Sequence, residues 1–282
     1  MTQPPNLTDC TALARFRARA KRLPNPALFL QQQTVDEIQQ RLNEVNRRFT
    51  KPAVVTSFPQ LWQPVLPDAK FVTDADCLDL ETEAHDLIIH ALSLHWANDP
   101  VGQLVQCRRA LKPDGLFICA TFGGQTLSEL RSALAEAETT LTGGLSPRVV
   151  PMGEIRDLGA LLQRAGFAMP VADVLPQKVS YESPLHLMHD LRAMGETNAL
   201  AARHKTIPPR DLFTEAARHY YQHYSTPDGR IFATFETVFL TGWAPDASQP
   251  QPLRPGSAKV RLADALNTEE MPLPDSAPIG RN

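Results

Sequence analysis

At 282 residues, 43% hydrophobic and 21% charged, the chain has ordinary globular composition, enough for one large domain or one domain with an appendage. Its formal net charge of −3 gives neither nucleic acid nor a membrane surface a bulk electrostatic hold, so neither is expected as the main partner.

Residues 1–10 are polar and Pro-containing and read as disordered. Residues 14–22 carry Arg15, Arg17, Arg19, Lys21 and Arg22 in a short basic helix stopped by Pro24 and Pro26. That cluster could hold an anionic or protein partner, and a solvated helix face is the plainer alternative. Thr34-x-x-Glu37 reads as a capping box opening a helix through Val35, Ile38, Leu42, Val45 and Phe49. Residues 53–56 are a short strand, residues 58–66 a brief helix limited by Pro59 and Pro64, and residues 71–73 another strand leading into Asp74-Ala75-Asp76.

Residues 87–91 are apolar almost without interruption, as a strand buried on both faces must be. Asp99-Pro100 is an N-cap with Pro at the first helical position, and Val101, Leu104, Val105 and Leu111 line one helix face. Lys112-Pro113-Asp114-Gly115 makes a turn, and residues 116–120 form a second buried strand. Strand, helix and strand in this order make a βαβ unit and hence a parallel sheet. Thr126-x-x-Glu129 reads as a second capping box. A helix through Ile155, Leu158, Leu161 and Leu162 ends at Gly166; further helices are expected from Ser183-Pro184 and over residues 211–224, with a long strand over residues 231–243. From Pro245 onward the chain is Pro-, Gln- and Ser-rich, with a helical patch at residues 258–266, and is expected to add little to the core.

The four cysteines, Cys10, Cys77, Cys107 and Cys119, lack Cys-x-x-Cys spacing, which argues against a zinc knuckle or a disulfide framework and fits a reducing compartment. No apolar run approaches the roughly 18 residues of a membrane helix, and the first residues lack a secretory pattern, so the cytoplasm is the expected location.

Ligands of open parallel sheets bind beyond the carboxyl ends of the strands, which directs attention to the segments after Thr56, Thr73, Ala91 and Ala120. His95-Trp96, a few residues past the third of these, could orient a ligand by stacking and hydrogen bonding, or pack on the sheet rim.

The stretch from His85-Asp86-Leu87-Ile88-Ile89-His90-Ala91 through Leu94-His95-Trp96 to Asp99-Pro100 is similar to the fourth-strand region of class I S-adenosylmethionine (SAM)-dependent methyltransferases. So is Leu111-Lys112-Pro113-Asp114-Gly115-Leu116-Phe117 to their fifth. Leu161-Leu162-Gln163-Arg164-Ala165-Gly166-Phe167 resembles the helix before their sixth strand. Within that superfamily the chain resembles two groups: the malonyl-carrier-protein methyltransferases of biotin synthesis, and bacterial relatives of a mitochondrial complex I assembly factor described as an arginine hydroxylase. Thr142-Gly143-Gly144-Leu145-Ser146-Pro147-Arg148 and Pro252-Leu253-Arg254-Pro255-Gly256-Ser257 fit the second.

The resemblance implies an α/β fold with a Rossmann-like, mostly parallel sheet of the class I methyltransferase type, with N-terminal helices and an extended C-terminal tail. It suggests a basic helical arm at residues 1–33, a methyltransferase-like domain at 34–245 and a Pro-rich tail at 246–282. It implies SAM as cofactor, held near Thr56, Asp74, Ala75, His90 and Ala91, and a small-molecule or protein substrate touching His95 and Trp96. No catalytic base is named, and no two-His-one-carboxylate pattern suggests a metal.

The family places a Gly-rich turn after its first strand, where the backbone must approach the cofactor closely. Here Val55-Thr56-Ser57-Phe58-Pro59 stands in that place, and the first glycine in the chain is Gly102. Residues 50–70 are too few for the family's first two strands and their helices, so the sheet is expected to be shortened near the second strand and to lack its ribose-binding acid. The cofactor grip is therefore expected to be weak or absent, with a protein-binding or respiratory-complex-assembly role as the alternative function.

Overall fold

A computed structural model describes residues 6–250, 260 and 266–268. Its strands are β1 (Pro52–Val55), β2 (Lys70–Val72), β3 (His85–Ala91), β4 (Leu111–Phe122), β5 (Ala168–Tyr181) and β6 (Ile231–Trp243), in one sheet of order β2-β1-β3-β4-β6-β5. The pairs β2–β1, β1–β3 and β3–β4 are parallel, and β6 runs antiparallel between β4 and β5. The mostly parallel sheet, the βαβ core and the antiparallel strand from Ile231 follow the sequence expectation. β2 pairs directly with β1, so no strand stands between the segment after Pro64 and the first strand, and the sheet is short on that side.

The helices are α1 (Cys10–Lys21), α2 (Phe29–Glu44), α3 (Pro59–Trp62), α4 (Pro100–Ala110), α5 (Ser128–Thr142), α6 (Ile155–Ala165), α7 (Pro184–Ala193) and α8 (Arg210–Tyr224). Successive residues of β3 and β4 point to opposite faces. Leu87, Ile89, Leu116 and Ile118 pack in a core that includes residues of α2, α5, α7 and α8, while Ile88, Phe117 and Cys119 pack with Leu104 of α4 and Leu162 of α6. All seven are at most 1% exposed, which explains why these strands must be apolar at every position rather than alternately.

Asp99 caps α4 through Gly102 N–H (2.8 Å), and Gly166 ends α6 at φ +83°. Between His85↔Leu111 and Leu87↔Leu116 the β3–β4 register shifts, so the expected turn at Lys112-Pro113-Asp114-Gly115 bulges out of the strand rather than preceding it.

Both capping boxes are corrected. Thr34 lies inside α2, where its hydroxyl donates to the Leu30 carbonyl (2.8 Å), and Glu37 instead pairs with Arg41. Thr126 bonds the Gly123 carbonyl (2.7 Å), and the Glu129 carboxylate accepts from Thr234 across to β6, so neither end of that motif caps α5. The helix expected over residues 58–66 shortens to α3, and α2 stops before Phe49.

The expected disorder at the start of the chain is corrected for residues 6–10: Thr8 is buried and bridges Leu200. Residues up to Ala247 form one compact unit. Beyond it, Val260 and Leu266 are exposed, and Leu262 with the rest of the expected helical patch lies outside the described residues. Among the described residues no helix is long and apolar enough to cross a membrane.

Candidate functional site

Beyond the carboxyl end of β1 the chain turns through Thr56, Ser57 and Phe58, all buried. Thr56 holds the turn twice: its N–H donates to the Val72 carbonyl (2.9 Å) and its hydroxyl accepts from Phe58 N–H (3.1 Å). A cavity of about 10 Å³ remains there, bounded by Thr56, Ser57, Phe58, Trp62 of α3, and Ala91 and Leu92 beyond β3. That is room for about one water.

Asp74, just past β2, is already occupied. Its carboxylate accepts from Ser57 Oγ (3.0 Å) and from Arg17 Nη1 of α1. The ion pair is buried, with 8% and 10% of the two side chains exposed. Arg17 Nε has no partner among the described residues. Its guanidinium thus closes the place where the sequence reading puts the cofactor's acidic contact.

His90 and Ala75 meet through an intermediary that sequence reasoning missed. Gln103 of α4 donates its amide to the Ala75 carbonyl (3.0 Å), which leaves its oxygen to accept from His90 Nε2 (2.9 Å). His90 therefore carries its proton on Nε2, and Nδ1 faces the Ser93 hydroxyl at 3.5 Å. Burial pushes the His90 imidazole below its ordinary pKa, so it is neutral at pH 7. Asp86 shapes the approach to β1, accepting from Thr50 N–H (2.6 Å) and Lys51 N–H (2.8 Å).

These residues do not fit SAM as the family holds it. There is no glycine turn, the acid is paired internally, and the crevice is filled.

A larger cavity, about 520 Å³, opens on the other side of His95-Trp96. Leu130 and Leu134 of α5, Met188 and Leu191 of α7, Phe122 and Phe235 give it apolar walls. The volume lies within the range of small-molecule sites. Glu196, after α7, lines it: Oε2 accepts from Trp96 Nε1 (2.6 Å) and faces His95 Nε2 (3.1 Å), while Oε1 has no hydrogen-bond partner among the described residues. His95 Nδ1 lies 3.4 Å from the Thr121 hydroxyl, and its ring is 5.0 Å from that of Phe122. Burial raises the Glu196 pKa, but the charges and hydrogen bonds of His95, Arg17 and Trp96 outweigh it and hold the carboxyl below its ordinary range. Glu196 is therefore an ionised carboxylate in a cavity with apolar walls and a rim that includes Arg148, Arg192 and Arg203. Among the described residues no group of three or more His, Cys, Asp or Glu side chains is set to hold a metal ion.

Thr56 and Ala91 thus border the small crevice, with Asp74 one side chain away, and His90 reaches Ala75 through Gln103. His95 and Trp96 belong instead to the larger cavity's Glu196. Arg17 had a signal, the basic run, but Glu196 and Gln103 had none.

Gly195 connects the two places. Its φ of +86° suits glycine, and a Cβ there would meet Arg17 Cγ at 3.1 Å and Arg17 Cα at 3.3 Å. Gly195→Ala should therefore strain the backbone and push α1 outward. The expected loss is about 1–3 kcal/mol, a fall of roughly 2–10 °C in thermal midpoint. An unchanged midpoint would show that α1 is seated some other way.

Residues 30–119 match a family described as "Methyltransferase domain". The chain is 41% identical over 199 residues to the protein named "Arginine-hydroxylase NDUFAF5, mitochondrial" from Danio rerio, covering 71% of this chain and 62% of that one. It is 34% identical over 172 residues to a malonyl-[acyl-carrier protein] O-methyltransferase from Nitrosospira multiformis, covering 61% and 53%. The match spans less than two thirds of either relative's length. Among solved structures the YcgJ protein of Bacillus subtilis is similar at 11% identity, covering 76% of this chain and 99% of that one, with a TM-score of 0.49. By its matched domain and these relatives, the chain is similar to class I SAM-dependent methyltransferases, near the NDUFAF5 and malonyl-carrier-protein methyltransferase groups.

Proposed function

We propose that this chain keeps the methyltransferase fold with only a weak hold on SAM, and works at the larger cavity by receiving a cationic side chain of a partner protein, arginine foremost. The observation that carries this reading is Glu196, an ionised carboxylate whose Oε1 is without a hydrogen-bond partner among the described residues and which is the one acidic side chain among the described residues lining the cavity. A buried carboxylate with a free oxygen favours a donor-rich cation. The planar guanidinium fork suits it better than a lysine ammonium, and the Trp96 ring in the same wall adds cation–π attraction. The printed name of the 41%-identical relative, an arginine hydroxylase, points to the same side chain. Four free cysteines, two of them exposed, suit a reducing compartment such as the cytoplasm.

Glu196→Gln keeps the acceptor from Trp96 but removes the charge. Losing a charge-assisted hydrogen bond costs about 1.5–3 kcal/mol, so a peptide with a central arginine should bind roughly 10- to 150-fold more weakly. Equal affinity for the variant and the parent protein, measured by fluorescence anisotropy, would refute the assignment.

The family likeness favours a second reading, slow methyl transfer from loosely held SAM. Thr56 and Ala91 still border the crevice that such a cofactor would enter.

A further inference from the structure

The basic face of α1 is not consumed by Arg17. Arg15 and Arg19, one helical turn apart, place their guanidinium carbons 5.4 and 5.1 Å from the centre of the Phe16 ring. Arg192, in the last turn of α7, is close enough for its charge to act on Arg19. Arg19 Nη2 donates to Thr197 Oγ1 (2.9 Å), and its Nε is buried with no partner. Burial first, then the charges of Arg192 and Arg15, push Arg19 below its ordinary pKa, and no acidic group offsets them. Among the described residues no carboxylate pairs with any of the three. Three guanidinium groups gathered without a counter-charge repel one another, so an anion supplied from outside relieves them.

The cluster also has a fixed relation to the cavity. Arg192 and Thr197 both line it, and Thr197 follows Glu196 directly in the chain, about 3.8 Å away between Cα atoms. Arg192 on the cavity wall and Arg19 on Thr197 therefore lie beside the path of a chain that puts one side chain at Glu196, and Arg15 shares the Phe16 ring with Arg19.

We infer that Arg15, Arg19 and Arg192 form an anion site that takes carboxylate side chains of the same polypeptide whose cationic side chain enters the cavity. This rests on the reading of Glu196 given above, and it adds a sequence preference: a basic residue with acidic neighbours. The like charges of the cluster also reject basic flanks, so the site selects as well as binds.

The test uses the full chain and four fluorescein-labelled 15-residue peptides, with arginine or glutamine at the centre and either Asp/Glu or Asn/Gln on both sides. Acidic flanks should tighten binding roughly tenfold at low salt whichever residue is central, and added NaCl should shrink that advantage. Arg15→Glu combined with Arg192→Glu should abolish the advantage and reverse it toward a fifth, lysine-flanked peptide. Both residues are exposed, so a melting curve is expected to confirm that the double variant folds. Peptides with acidic flanks binding no more tightly than neutral ones overturn the anion site, and so does a preference that survives the double charge reversal. Binding of the protein to phosphatidylserine vesicles but not to acidic peptides overturns it in favour of a lipid headgroup. The reading of Glu196 fails separately, when exchanging the central arginine for glutamine changes nothing.

Discussion

Titrated with SAM, the purified protein is expected to give a dissociation constant in the hundred-micromolar range or weaker. Three physical terms oppose binding. Asp74 cannot turn to a cofactor without surrendering Arg17 and Ser57, and a lost charge-assisted hydrogen bond costs about 1.5–3 kcal/mol. That term alone weakens a micromolar affinity roughly 10- to 150-fold. Phe58 and Trp62, 5% and 2% exposed, occupy the ground a glycine turn would leave open. The remaining cavity of about 10 Å³ must expand many-fold, which means moving packed side chains. Calorimetry giving about 10 µM or tighter for the parent protein would defeat this. Arg17→Ala separates the causes: it frees Asp74 but not the turn, so it should gain less than tenfold. Recovery of tight binding in that variant would make α1 the whole obstacle.

The second large effect concerns acid. Glu138 of α5 accepts from Ser146 N–H (3.0 Å), Ser146 Oγ (2.7 Å), and Arg148 Nε (3.0 Å) and Nη2 (2.6 Å). The hydrogen bonds of Arg148 first, and those of Ser146 with them, outweigh burial and lower its pKa from 4.5 to about 2. A carboxyl whose folded pKa is depressed contributes stability that is complete above its unfolded value and disappears as pH falls through the folded one. The window is therefore about pH 4.5 down to about 2. At 1.36 kcal/mol per pK unit the contribution is on the order of 3 kcal/mol. Glu138→Gln should lose about that much at pH 7 and show a flatter stability profile through the window, measured by urea unfolding. Parallel profiles for variant and parent would mean that the clamp stabilises nothing. Arg148, Val149 and Val150 also line the larger cavity, so the variant should loosen its wall.

The βαβ core was legible because its signals are local. Continuous apolar runs at 87–91 and 116–120, an Asp-Pro start and a Gly stop each report on neighbours within a few residues. The two capping boxes misled because the motif counts spacing and not burial: Thr34 is 2% exposed, and a buried threonine hydroxyl in a helix turns back to the carbonyl four residues earlier. The candidate site was legible only as a list of strand ends. Its decisive contacts join residues 57 positions apart, Arg17 to Asp74, and 100 apart, Trp96 to Glu196. No periodicity spans such distances; they follow from the sheet order, which sets the α1 and α7 regions over the same carboxyl ends. The missing glycine turn was plain in the sequence, but not that an arginine of α1 would pair with Asp74 beside it.

At the far side of the sheet β5 pairs, among the described residues, with β6 alone, which leaves one flank of its fourteen residues unpaired by them, Met169, Val171 and Val174 exposed among them. Such a border invites a second copy to extend the sheet. Pro170 and Pro176 interrupt it, since neither carries an N–H to offer a newcomer, and Lys178 adds a charge that a like strand would have to face. The same three residues explain why a strand this long is tolerated at a border, and they mark where restoring an N–H or removing the charge would most readily turn a well-behaved protein into a self-associating one.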